Sequence, residues 1–428
     1  MMSIINNKEI IVLVDAWSGG KNLIPAFQSL GYYCLHIQSL FLAEIFYADN
    51  QLAISRSDKH IIFDGNLEKL VNNLKDFNIK AVLAGSESGV ALADYLNHVL
   101  NLPFSNQFKL SEARRNKFLM QERLGDCGVA SIKQQLISRK DRLRHWLTKH
   151  GQWPVVLKPV QSAGTDHVFI CHNITQCFEA FDSILLSKDI FGQPNQAVLS
   201  QAFLLGEEFV VNGVACEGKY FFTELWQSTK QYRKDVPIYE TQYLLHEESA
   251  KFSSLTVYTT QVCQALGIEN GAFHAEVMMT IDGPVLIEIG ARVAGGADPY
   301  VIEECLGHSQ IGKLLQAVLQ PKLFHHDMLF RRDLSSRQCA AYVYLISPFK
   351  GQLRRSPEAF FISIEGVISV NYHYKAGDIQ QETKDLISSP GLVIVIRANI
   401  YLLNKTIAEI RKLEKEFFQK NLVAYQGE

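Results

Sequence analysis

Two acids in a stretch that otherwise reads as buried strand set the chemical question. In FHAEVMMTIDGPVLIEIGAR, residues 273–292, the odd positions Phe273, Ala275, Val277, Met279 and Ile281, then Val285, Ile287, Ile289 and Ala291, are all apolar. Side chains alternate between faces along a strand, so the even positions carry His274, Glu276, Thr280, Glu288 and Arg292 on the other face. Asp282-Gly283 is a turn signal, and the segment reads as a hairpin. A two-residue turn at Asp282-Gly283 would pair Val277 with Glu288, setting a core face against a polar one. A three-residue loop, Ile281 to Gly283 with Gly283 left-handed, sets Glu276 opposite Glu288, and the hydrophobic pattern requires this second register. Carboxylates ~5 Å apart repel by roughly 3 kcal/mol at an effective dielectric of about 20. Relief comes from protonation of one acid, from a hard divalent cation between them, or from a lysine or arginine supplied elsewhere in the chain.

A divalent ion that serves a nucleotide needs company: cations and N–H groups for phosphates, an apolar slot for adenine, an acceptor for ribose. Lys158 ends VVLKP beside the small-residue loop Ser162-Ala163-Gly164-Thr165, whose N–H groups could face phosphates. Lys117 lies on the charged helix SEARRNKFLMQERLGDCG, and Gln201-Ala202-Phe203-Leu204 is an apolar connector with Glu208 four residues on. Singly, each has an ordinary reading as a solvated lysine, a plain turn or a surface acid. The loop Ser18-Gly19-Gly20-Lys21 is not a P-loop: Asp15 stands at its first glycine and Asn22 at its Ser/Thr, so it reads as a tight turn capping a helix.

The elements that position these residues follow from the pattern. EIIVLV (9–14), a strand at Tyr32 to Ile37 and KAVLA (80–84) alternate with helix-like stretches, the last led by Gly85-Ser-Glu-Ser-Gly89, which implies a parallel sheet covered on both faces over the first 110 residues. Residues 154–170 read as strand, loop, strand, and 196–216 as a strand pair around Gly206. Beyond the hairpin, Ala294-Gly295-Gly296-Ala297 is a bend leading to a helix around Ile302 to Leu306. Strands at Ala340 to Leu345 and Leu392 to Arg397 and a one-faced helix from Asn404 to Phe418 read as a separate α+β cap.

With 428 residues, 20% charged and a net charge of -2, the chain suggests two to four domains or subdomains and offers no basic field for nucleic acid. Its eight cysteines are scattered without zinc spacing and read as reduced, mostly buried thiols. Ile10 to Val14 is too short for a signal-peptide core, and no window nears the ~18 apolar residues of a membrane span. A cytoplasmic protein without membrane association is the expectation.

RRNKFLMQERL, VVLKPVQSAGT, VLSQAFLLGEEF and HAEVM…LIEIGAR, in this order and spacing, resemble the ATP-grasp ligases, and most closely the carboxylate-amine ligases that include the L-amino acid (dipeptide) ligases. AVLAGSESGVALADYLNHVLNLPFSN is similar to the end of that family's N-terminal domain. The resemblance covers most of residues 1–330. It implies an α/β and α+β multidomain chain: a Rossmann-like (pre-ATP-grasp) domain at 1–112, an ATP-grasp fold at 113–330 with a lid at 130–202, and an α+β cap at 331–428. It also implies ATP with Mg²⁺, or Mn²⁺ in its place, as cofactors, a small-molecule carboxylate and an amine as substrates, and a homodimer.

By the same resemblance Lys117 and Lys158 hold phosphates, with Ser162 and Gly164 in the loop over them. Gln201 to Leu204 meet adenine through their backbone, Gln201 standing where many relatives have Glu, and Glu208 takes the ribose. Glu276 and Glu288 are the metal ligands, and Arg292 stabilises the anionic transition state. Gly290 stands where many relatives carry a metal-binding Asn, which leaves that coordination place to water or substrate. Glu87 and His274 are candidates to border the substrates, against a charge at a helix start and a structural hydrogen bond, and Gly295-Gly296 is a candidate approach to the acceptor carboxylate, against a simple turn. The implied reaction passes through an acyl phosphate. A formate- or bicarbonate-using ATP-grasp enzyme and a non-catalytic nucleotide-binding protein are the rival readings.

Overall fold

The computed structural model describes residues 8–425 except 41, 43, 161–166, 189–191, 193, 234–235, 297, 330–337 and 387. Its first sheet contains β1 (Ile10–Val14), β2 (Tyr33–Gln38), β3 (Lys59–Ile62) and β4 (Ile79–Ala84), all parallel in the order β3-β2-β1-β4. Every residue of β1 is buried, as a central strand covered on both faces must be. The Ser18–Asn22 stretch is a turn of 3-10 helix leading into the helix Leu23–Gln28. Its glycines serve close approach, since a Cβ on Gly19 would lie 2.0 Å from the Ala294 carbonyl oxygen and one on Gly20 2.2 Å from that of Gly85.

A second sheet is the small antiparallel set β5 (Gln134–Ile137), β6 (Val155–Pro159), β7 (Phe169–Cys171) and β8 (Val198–Ala202), in the order β5-β8-β6-β7. The helices Lys140–His150 and Ile174–Leu186 cover it and share one apolar core with it. The loop residues Ser162 and Gly164 lie outside the described residues.

The third and largest sheet is built on β9 (Glu207–Cys216), β10 (Lys219–Arg233), β11 (Val236–Leu245), β12 (Gly271–Thr280) and β13 (Gly283–Gly290). The C-terminal segment supplies β14 (Cys339–Tyr344), β15 (Gly351–Leu353), β16 (Val367–Tyr372), β17 (Ile379–Gln380), β18 (Gly391–Arg397) and β19 (Leu422–Ala424). The eight-stranded order is β13-β12-β9-β10-β11-β14-β18-β16, with β17-β15-β19 as a small sheet beside it.

Two expectations change here. β8 and β9 do not pair around Gly206: one ends the small sheet and the other starts the large one, so residues 203–206 pass between two sheets. Gly206 fits because a Cβ there would lie 2.2 Å from the Met279 carbonyl oxygen. Nor do all the C-terminal strands stand apart, since β14 pairs with β11 and so joins β18 and β16 to the large sheet. Four successive buried residues in β14 need a neighbour on each side, and β11 and β18 supply them. The last helix, Ile400–Asn421, runs longer than expected; Asn399 caps it by accepting from Leu402 N at 3.0 Å.

The hairpin reaches the expected register by another route. Glu276 does face Glu288, but Thr280 pairs with Gly283 across a two-residue turn, Ile281-Asp282, and the register shifts between Glu276 and Val277, leaving Ile287 as a bulge residue. The odd-number pattern therefore fails beyond the turn: Leu286 joins the core, Ile287 turns to the other face, and Ile281 is 98% exposed. At the bulge, side chains take Leu286's backbone groups: its N–H donates to Tyr258 Oη at 2.7 Å and its C=O accepts from Gln121 Nε2 at 2.8 Å. All eight cysteines are free thiols, six of them buried. Among the described residues no helix is long and apolar enough to cross a membrane.

Gly85 closes the C-terminal edge of the first sheet, where a Cβ would lie 2.6 Å from both Ala16 Cα and Asp15 O. Both are backbone atoms and cannot swing aside. Gly85→Ala is expected to lower the free energy of unfolding by about 2 kcal/mol in urea titration; a change within about 0.5 kcal/mol would show that the contact relaxes freely.

Candidate active site

β9, β10, β12 and β13 lay one apolar face on the helices Lys117–Asp126 and Ala250–Ala265, where Phe209, Val211, Leu225, Phe273, Ala275 and Val277 are fully buried. Strand alternation turns Glu208, Asn212, Glu224, His274, Glu276 and Glu288 to the opposite face. The small sheet closes over this face at the Met278 end, and a cavity of about 180 Å³ lies between. Lys117, Lys158, Gln201, Ala202, Phe203, Leu204, Glu208, Glu276 and Glu288 all line it.

Each cation arrives from a different element. Asn116 caps the helix Lys117–Asp126 by accepting from Phe118 N and Leu119 N at 3.0 and 3.1 Å, which puts Lys117 in the first turn. Lys117 N donates to Val160 O at 3.3 Å, tying that turn to the end of β6, where Lys158 sits. Lys117 Nζ lies 2.9 Å from Glu288 Oε2, so a lysine partner for the acid pair is realised on the Glu288 side. On the other side His274 Nε2 stands 3.8 Å from Glu276 Oε1.

The electrostatics are strongly perturbed. Burial, then the charge of Lys117, pushes the Lys158 ammonium down to about 8 against the pull of Glu288 and Glu276. Surrounding protein disfavours charge on Glu276, but the neighbouring His274 imidazole, with Lys230 and Lys117, outweighs it and brings its carboxyl to about 2.

Several contributors escaped the sequence reading. Ile132, Val156, Ile170, Met278 and Ile287 give the cavity apolar walls, and Leu386 of the C-terminal segment also lines it. Glu208 is not an unengaged acid: its oxygens accept from Tyr239 Oη at 2.6 Å and Lys230 Nζ at 2.5 Å. The available signal was the polar residues Glu224, Ser228 and Lys230 at even positions of β10, interrupted by Trp226, two of which the fold pairs with Asn212 and Glu208. His274 makes the structural hydrogen bond weighed for it, with Nδ1 2.7 Å from Asn212 Oδ1, while Asn212 Nδ2 donates to the buried Glu224 at 2.7 Å.

Arg292 lies outside the cavity, at its far end. His274 pairs across the strands with Gly290, and two residues later Arg292 Nε stands 3.3 Å from Glu87 Oε2 of the first sheet's loop. Arg292 Nη1 also donates to Val293 O at 3.0 Å. A Cβ at Gly290 would lie 2.6 Å from Glu87 Oε2, so any larger residue there would have to displace that carboxylate. The carboxylate of Glu87 fills the space that an Asn at position 290 would need. Gly295 and Gly296 are exposed and do not line the cavity; Gly296 has φ +72°, and a Cβ on Gly295 would lie 2.9 Å from Ser18 Oγ.

Read in order along the hairpin, the site runs from an apolar slot at Met278, through opposed acids beside two lysines, to an arginine and an acid at a domain junction. The ATP-grasp domain family matches residues 151–299. Over 422 residues the chain is 65% identical to dapdiamide A synthase of Enterobacter agglomerans, covering 99% of this chain and 100% of that one. It is 23% identical over 270 residues to the L-arginine-specific L-amino acid ligase of Bacillus subtilis, covering 62% and 63% of the two chains. Its fold superposes on the crystal structure of an L-amino acid ligase from Bacillus licheniformis with TM-score 0.72 at 17% identity, covering 98% and 99%. The chain belongs to the ATP-grasp carboxylate-amine ligases. It is an ATP-dependent enzyme that forms amide bonds between carboxylates and amines.

Beneath the site, burial raises the Glu224 carboxyl from 4.5 to about 7 against the hydrogen bond from Asn212. An acid raised in the fold stabilises fully below its unfolded value, and that contribution is lost as pH rises through the folded value. Glu224→Gln keeps the shape without the ionisation. Its stability relative to wild type is therefore expected to climb by roughly 3 kcal/mol between pH 4.5 and pH 8 in denaturant titrations, whereas a pH-independent difference would mean that Glu224 stays ionised throughout.

Proposed function

We propose that the enzyme activates the carboxylate of an amino acid or small acid as an acyl phosphate and joins it to an amine, releasing ADP and phosphate, in the cytoplasm. The observation that carries this reading is the placing of Glu276 opposite Glu288 in one cavity with Lys117 and Lys158, with Arg292 beyond the acids. In the three-part chain, the segment 113–330 holds the nucleotide between its small sheet, the lid at 130–202, and its large one. The apolar walls and the 201–204 backbone receive adenine, and Glu208, oriented by Lys230 and Tyr239, receives the ribose.

Glu276 and Glu288 would hold Mg²⁺, or Mn²⁺ in its place. The donors fit a hard cation, being two carboxylates in register, one of them ionised down to about 2. Among the described residues no third His, Cys, Asp or Glu completes a cage, so remaining ligands would be phosphate oxygens and water. The ion would neutralise charge on the transferring phosphoryl group. One lysine cannot balance two carboxylates once a polyanionic nucleotide joins them, and Lys117 is placed to turn from Glu288 to the phosphates.

The acid substrate's oxygen attacks the γ-phosphorus, the bond to the β-phosphate oxygen breaks, and ADP leaves. Lys117, Lys158 and Arg292 hold the spreading negative charge. The amine, having given one proton to solvent, attacks the acyl carbon with its nitrogen, the bond from the acyl carbon to the phosphate oxygen breaks, and phosphate leaves as the second proton passes to it or to water. Glu87, held by Arg292 at the far end of the acids, is placed to receive the amine's ammonium before reaction.

ADP release measured over a panel of acids, with and without amines, tests the reading. Amine-dependent ADP is expected; release that needs only bicarbonate or formate, or no release, would overturn it. Arg292→Lys should lose at least ~100-fold in kcat, because a point charge cannot reproduce a planar fork on an anion. Near-normal turnover would remove Arg292 from the mechanism.

A further inference from the structure

The small sheet carries a groove that the ligase chemistry does not use. It has a volume of about 690 Å³ and lies between β5 and one stripe of the helix Lys140–His150. β5 is an edge strand, paired only with β8. Ala202 N donates to Lys133 O at 2.9 Å. Because antiparallel pairs alternate, Lys133, Gln135 and Ile137 turn their backbone groups to β8, and those of Gln134 and Leu136 point outward. Among the described residues no other backbone group meets these; only Gln135 Nε2 reaches Leu136 O, at 3.4 Å. The Leu136 side chain is itself 38% exposed.

The helix wall is cationic and aromatic. Leu143 and Leu147 face the core, which leaves Arg142, His145, Trp146 and Lys149, spaced three and four residues apart, along the groove. The rings of Trp146 and His150 stack there with centroids 4.7 Å apart. Burial, then the charge of Lys133, lowers the His150 imidazole, so the first residue of the strand wall stands within electrostatic reach of the helix wall. Among the described residues no acid lines the groove. The helix's one acid, Asp141, is held by Arg139 at 2.9 Å. Lys133, Arg142 and Lys149 have no ion-pair partner among the described residues.

Uncompensated cations attract an anion, and outward N–H and C=O groups at strand spacing match another main chain. A nucleic acid or polyphosphate meets the first demand and not the second, since it offers no such alternation of donors and acceptors. We propose that the groove between β5 and the helix Lys140–His150 docks an acidic, extended segment of a partner protein, which pairs with β5 as a fifth strand of the small sheet. Its carboxylates would meet Lys133, Arg142 and Lys149, and its apolar side chains Leu136 and Trp146. The groove shares no lining residue with the catalytic cavity, and docking there does not depend on the reaction proposed above.

Fluorescence anisotropy with labelled, capped octapeptides tests this. The probes are alternating Glu and Val, alternating Lys and Val, and the Glu-Val peptide with its amide nitrogens methylated, beside a thymidine octanucleotide. Wild type is expected to bind the Glu-Val peptide with Kd below about 100 µM and the other three at least ~10-fold more weakly. Arg142→Glu/Lys149→Glu should weaken the Glu-Val peptide at least ~10-fold. Leu136→Pro removes one outward N–H at an edge where proline is tolerated, and should weaken it about 5-fold. The comparison of probes on wild type carries the test if a variant does not fold. No binding of the Glu-Val peptide at about 1 mM, equal binding of its methylated form or of the oligonucleotide, or an affinity unmoved by the double charge reversal would overturn the proposal.

Discussion

Two like charges forced face to face are the constraint on which this structure turns. Glu276 and Glu288 occupy one register position on neighbouring strands, where the surrounding protein offers little relief by solvation. Their repulsion has to be answered by cations, and much of the fold consists of ways to deliver them. Lys117 comes from the first turn of a capped helix, Lys158 from the end of a strand in the small sheet, and Lys230 from the long β10. The two perturbed groups answer different forces: burial and the charge of Lys117 bring the Lys158 ammonium down to about 8, whereas His274, Lys230 and Lys117 hold the Glu276 carboxyl low against burial.

The segment 203–206 connects the two halves of this arrangement. Below it lie the acids on the large sheet, and above it the apolar roof and Lys158 on the small one. The far end belongs to a third body: Glu87 comes from the N-terminal sheet, and Gly290 leaves it room beside Arg292. The apolar slot, the opposed acids and the Arg292–Glu87 pair therefore lie in line along one hairpin, with residues contributed from three sheets.

Much of this was legible in the sequence because the strands alternate cleanly. Nine residues assigned to nucleotide and metal from ordered motifs line one cavity. The route to the acid register was not legible. A one-residue bulge at Ile287 and a shorter turn give the same facing pair as a longer loop, and apolar residues on both sides of the bulge hide the change of face. Lys230 and Tyr239 were missed because they become neighbours of Glu208 only through the pairing of β9, β10 and β11, a contact between residues 22 or more apart. The C-terminal strands looked like a separate cap because pattern alone does not say which sheet edge a strand will join. Glu87 and Gly290 make the same point: a glycine at a metal-ligand position reads as a loss until the acid filling its space is seen.

Manganese binding in the presence of a non-hydrolysable ATP analogue, followed by pulsed electron paramagnetic resonance, examines the central claim most directly. Wild type should show a protein-bound ion coupled to nucleotide phosphorus, and the signal of the ternary complex should vanish when Glu276 and Glu288 are both changed to Gln. An unchanged affinity and phosphorus coupling in that double variant would contradict the assignment, leaving the two acids as partners of Lys117 and His274 alone.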